Sequence, residues 1–174
     1  MKHENSLAWI ESAGGLLLLL EENLLPFWRR CFSDSGDALT DYDRACDVND
    51  YISAKDVDSG RAIVLGDEPL STTWWTSTNK KQSFLVRWDC AENETAVIES
   101  LKYLPEISWQ KTDVEFQVKE GKLILFDSAC SGSNIDDCLR IEISKARYAI
   151  EMLHYKPDNQ TSLILYRFGN ATGA

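Results

Sequence analysis

The sequence predicts an α+β fold, mostly antiparallel β, with strands in two packed, sandwich-like halves and one central amphipathic helix near 92–104. Three observations carry this. Glycine-led apolar runs recur along the chain as "GGLLLLLE" (14–21), "GRAIVLGD" (60–67) and "GKLILFDS" (121–128). In "DVEFQV" (113–118), Val114, Phe116 and Val118 alternate with Glu115 and Gln117, the pattern of a strand with one wet face. A single segment, "CAENETAVIESLKYLP" (90–105), repeats at helical spacing instead.

The run Leu16–Leu20 stops at Glu21, Glu22 and Asn23. It is far short of the roughly 20 apolar residues of a membrane span. It also lacks the basic lead-in and cleavage site of an export signal. A strand buried on both faces fits it best. The following "EENLLPFW" reads as a turn or short helix packing Leu24, Leu25, Phe27 and Trp28. "SFLVRWD" (83–89) is the next clear strand after 60–67. In the helix, Val97, Ile98, Leu101 and Leu104 share one face. Glu92 and Glu94 meet the positive end of the helix dipole, and Pro105 stops the helix. "KEGK" (119–122) reads as the turn of a hairpin joining 113–118 to 122–126. After "LRIEI" (139–143), the turn "YKPDNQT" (155–161) joins strands 147–154 and 162–168. The expected organisation is a single domain over 1–174, with sub-halves 7–90 and 110–168 on either side of the helix. The Gly-led strand falls in both halves, as a weak duplication would place it.

Composition narrows the chemistry. Five cysteines (Cys31, Cys46, Cys90, Cys130, Cys138) form no CxxC pair, and the histidines are His3 and His154 alone. That argues against a zinc site and for reduced thiols in a bacterial-type cytosol. The net charge is −10. Residues 34–68 concentrate it, with ten acids against Arg44, Lys55 and Arg61. Nucleic acid wants the opposite sign, so the excess suits either a solvated loop or the steering of a basic protein. The acids fit no calcium-loop spacing. "GRAIVLGDE" has Asp67 where a phosphate loop needs lysine. No GxSxG elbow or HExxH is present, and His154 sits at strand spacing from Met152 and Ile150, as a packed or rim histidine. Carboxylates are plentiful, yet no pair stands out as a hydrolytic acid and base. The sequence therefore calls for no catalytic residue, metal or cofactor.

Two constellations remain. "STTWWTSTNKKQ" (71–82) places Trp74 and Trp75 in a polar loop between strands, open to both a binding and a packing role. "DYDRAC" (41–46) suits one helical turn with Tyr42, Ala45 and Cys46 inward and Arg44 paired with a nearby acid.

In order, "GGLLLLLEENLLPFW", "DYDRAC", "VLGDEPL", "FLVRW", "LILFDSA" and "RYAIEMLHYKPDNQTSLILYRF" resemble the immunity protein 21 family of bacterial polymorphic toxin systems. The resemblance spans about 7–168. The closing hairpin region is more loosely similar to the β-rich inhibitor of a bacterial competence nuclease. Both resemblances imply a small cytoplasmic protein, not an enzyme, that binds and neutralises a cognate toxin domain. A basic toxin, as nucleases usually are, would suit the acidic surface, and neither membrane nor nucleic acid is a direct partner. On this reading Asp41, Asp43, Asp47, Asp50 and Asp67 steer the toxin, and Trp74 or Trp75 anchors it. The alternatives are a non-inhibitory β-rich module that binds a ligand or peptide, and a hydrolase using unrecognised carboxylates.

Overall fold

A computed structural model describes residues 7–12, 14–29, 40–48, 50–66, 68–77, 82–132 and 135–171. Among them, strands dominate. They are β1 (Leu17–Glu21), β2 (Ile52–Val57), β3 (Gly60–Leu65), β4 (Thr72–Thr76), β5 (Ser83–Cys90), β6 (Gln110–Val118), β7 (Lys122–Asp127), β8 (Cys138–Glu142), β9 (Ala146–Tyr155) and β10 (Ser162–Asn170). A 3-10 helix (Glu22–Phe27) and two α-helices, α1 (Asp41–Cys46) and α2 (Glu94–Lys102), complete the described elements.

The strands form two five-stranded antiparallel sheets, ordered β2-β3-β1-β7-β8 and β4-β5-β10-β9-β6. The predicted α+β class with two packed sheets is what forms. The layers do not coincide with the two sequence halves, because each sheet takes strands from both sides of α2. The three Gly-led runs become neighbours: β1 lies between β3 and β7, with Leu17 opposite Leu65 on one side and Asp127 on the other.

Alternation along β1 explains why it is apolar throughout. Leu17 and Leu19 join Ile63, Leu65, Leu123 and Leu125 in the core between the sheets, with Phe116, Ile150 and Tyr166 from the other layer. Leu18 and Leu20 face the opposite way, into a second cluster roofed by Leu24, Trp28 and Ala45. Both faces of β1 are thus dry, and each buried leucine contributes about 1.5–3 kcal/mol. A third cluster covers the outer face of the second sheet, where Val97, Leu101 and Leu104 settle on Val86, Leu153, Leu163 and Leu165. Asn93 caps α2 through the Ala96 N–H.

Several local expectations change. Phe27 is 50% exposed instead of packed, because the 3-10 turn spends its inward positions on Leu24 and Trp28. Cys46 is exposed, while Ala45 alone of its trio is fully buried. "KEGK" is a turn, but β6 and β7 do not pair; it carries the chain from one sheet to the other. Gly121 takes φ 83 there, and the Glu21 carboxylate accepts the N–H groups of Lys119 and Glu120 at 2.8 and 2.6 Å. The predicted hairpin at 155–161 does form, pairing Tyr155 with Leu163.

Candidate functional site

Arg87 projects from β5 into the interior and is 1% exposed. Its guanidinium donates to the Gly66 carbonyl at 2.8 Å and to the Glu68 carbonyl. The Tyr166 hydroxyl, 3.4 Å from Arg87, donates to the Tyr51 carbonyl at 2.8 Å, and the same carbonyl accepts the Gly66 N–H at 3.1 Å. A buried cation needs such acceptors to offset its lost hydration. The result ties the turn after β3 to the turn before β2. Gly66 makes the approach possible, since a Cβ there would meet the Asp50 carbonyl at 2.1 Å.

Beside this clip a groove of about 520 Å³ opens between β2 and β6, which edge their respective sheets on the same side. Its lining combines the buried Ile52, Val114 and Met152 with the exposed Asp50 and Tyr51. Tyr51 is 37% exposed, and its ring meets the exposed His154 edge-on at 4.7 Å. β6 is interrupted here by an irregularity between Lys111 and Glu115. The Thr112 hydroxyl donates to the Ile150 carbonyl at 2.7 Å and accepts the Val114 N–H at 3.2 Å. Bulges of this kind bend an edge and recur next to binding sites.

The predicted site residues do not gather in one place. Asp41 is buried; its carboxylate accepts the Arg29 N–H at 2.9 Å and pairs with Arg44. Asp43 is exposed and closes a capping box on α1, accepting the Thr40 N–H at 2.8 Å. That N–H and the Thr40 hydroxyl hold its carboxyl below the usual carboxylate range. Asp47 and Asp50 are exposed; Asp67 lies outside the described residues. Trp74 and Trp75 sit not in a loop but on β4, pointing to opposite faces. Trp74 packs edge-on against Phe168, while Trp75 stacks on Phe84 and is 8% exposed. The stack continues from Phe84 to Trp109 and ends at Arg167, 4.6 Å from the Trp109 ring centre. Asp41 instead lines a second hollow of about 480 Å³ with Phe27, Asp56 and Asp58.

A family model described as Immunity protein 21 matches residues 8–161. The chain belongs to the immunity protein 21 family. Comparison with curated proteins gives no match, and comparison with solved structures gives none. Among the described residues of this immunity protein 21 chain, no helix is long and apolar enough to cross a membrane. The feature that sequence reasoning missed is Tyr51. It follows Asp47-Val48-Asn49-Asp50, and nothing local in the sequence marks its ring as exposed beside a groove.

Proposed function

We propose that this chain is a cytoplasmic immunity protein that binds a cognate polymorphic toxin domain and neutralises it by direct association. The observation that carries the reading is the family match over 8–161. It is supported by a surface that holds exposed acids and a net charge of −10, the sign that attracts a basic toxin such as a nuclease. Blocking needs no chemistry of its own. The inhibitor has only to place rigid side chains where the toxin's substrate would go, and a sandwich with three dry clusters is a rigid platform. Of the five steering acids, Asp43, Asp47 and Asp50 present exposed side chains for that purpose. Asp41 serves its own helix first.

Co-expression tests the reading. The toxin domain encoded beside this gene should arrest growth alone, become harmless with this chain present, and copurify with it one-to-one. Protection without a stable complex, or a complex that leaves the toxin active, overturns neutralisation by direct association.

A further inference from the structure

The strand registers place four connecting segments side by side. Leu17 pairs with Leu65 and with Asp127, Ile52 pairs with Leu65, and Phe126 pairs with Cys138. The start of β1, the start of β2, the end of β3, the end of β7 and the start of β8 therefore share one end of their sheet. The described residues of the four segments attached there are 11–12 and 14–16, 47–48 and 50–51, 66 and 68–71, and 128–132 and 135–137. Among the described residues they hold Glu11, Asp47, Asp50, Glu68, Asp136 and Asp137, all exposed, and no lysine, arginine or histidine. At the opposite end of the same sheet lie 22–29, 58–59, 119–121 and 143–145. There Glu22, Asp58 and Glu120 are balanced by Arg29, Lys119 and Lys145, and Asp41, in the hollow beside them, is paired with Arg44. The charge excess is thus polarised along the strands.

The groove between β2 and β6 begins at the acidic end, where Asp50 and the exposed Tyr51 ring line it. Its basic lining residues are Arg61, engaged by Asp56 at 3.1 Å, and Lys111. The Arg87 clip holds two of the four segments, one at Tyr51 and the other at Gly66 and Glu68, in place before any partner arrives. Preorganised acids around a half-exposed aromatic match the anatomy of an interface hot spot.

We infer that this acidic end is the docking face for the toxin domain, with the exposed Tyr51 ring as its anchor beside the groove and the surrounding acids meeting the partner's lysines or arginines. The inference rests on the proposed neutralising role and adds the surface and its anchor. It places the contact away from the β4 tryptophans, whose rings pack on Phe168 and Phe84.

The test uses the full-length chain and the neighbouring toxin domain, inactivated by substitution, in binding kinetics at low and high salt. Asp50→Lys with Glu68→Lys should slow association at least tenfold at low salt and flatten its salt dependence. Tyr51→Ala should speed dissociation at least tenfold, with a melting temperature within a few degrees of the parent. Asp58→Lys with Glu120→Lys, the same charge change at the other end, should leave both rates within about twofold. If both charge pairs slow association equally, or the acidic-end and Tyr51 variants bind as the parent does, the docking face is elsewhere. Should the unaltered chain itself fail to bind, the neutralising role falls, a result distinct from losing only the face.

Discussion

Arg87 shows how one buried side chain can decide the shape of a surface it never reaches. Replacing it with methionine relieves the burial of a cation but strips donors from the Gly66 and Glu68 carbonyls. The Gly66 carbonyl is buried, and an orphaned buried acceptor costs about 1–3 kcal/mol, so the net loss should be about 2 kcal/mol, read from the midpoint of urea unfolding. Arg87→Lys should restore little, because an ammonium lacks the planar fork that reaches two carbonyls at once. Asp58 is a second informative position. At the tip of the β2–β3 hairpin it holds φ 48, the one positive-φ non-glycine residue among those described. Left-handed backbone costs an L residue about 1–2 kcal/mol, and a β-branched side chain tolerates it worst. Asp58→Gly should therefore raise stability by up to about 1 kcal/mol, and Asp58→Val should lower it by a similar amount, both measured by thermal unfolding.

Elements divide into those their own residues announce and those the rest of the fold assigns. β1, β3 and β7 were legible because a strand dry on both faces must be apolar at consecutive positions, and their glycines mark where each run begins. α2 was legible from its single apolar stripe. β2, "ISAKDV", was not: as an edge strand its middle residues are only half-buried, so no run appears. β4 was hidden by its threonines, which read as a polar loop although Thr72 and Thr73 are buried. Ile10 exchanges main-chain hydrogen bonds with Thr72 at 2.8 and 2.9 Å, and the Thr73 hydroxyl donates to the Ala8 carbonyl. The candidate site followed the same division. The acid excess showed in composition, but which acids share a face depends on strand registers, a long-range property. α1 supplies the prediction that belongs here. Hydrogen bonds from Thr40 depress Asp43, and those from Gln160 and Thr161 depress Asp158 in the β9–β10 turn. A carboxyl lowered on folding adds stability above about pH 4, where an unfolded aspartate ionises. That contribution disappears as pH falls through the lowered folded value. Asp43→Asn with Asp158→Asn should therefore flatten the decline in stability below pH 4, followed by circular dichroism across acid pH.

At the scale of the whole molecule, the path of the chain decides what can fold alone. Residues 7–90 contribute β1, β2 and β3 to one sheet and β4 and β5 to the other. Cut there, β1 would lose β7 along its full length, from Leu17–Asp127 to Glu21–Leu123. β5 would lose β10, its partner from Phe84 to Cys90. Leu17 and Leu19 would face water where Phe116, Ile150 and Tyr166 now cover them. A two-sided apolar strand with an open edge is also the surface that aggregates. The full chain should therefore melt in a single cooperative transition with coincident far-ultraviolet and tryptophan signals. A fragment ending at residue 90 should stay unfolded or aggregate, and adding 110–174 in trans should restore β structure only when both pieces are present. Two separable transitions, or a folded monomeric 7–90 fragment, would show that the halves divided by α2 are independent units and that the shared sheets are a late docking event.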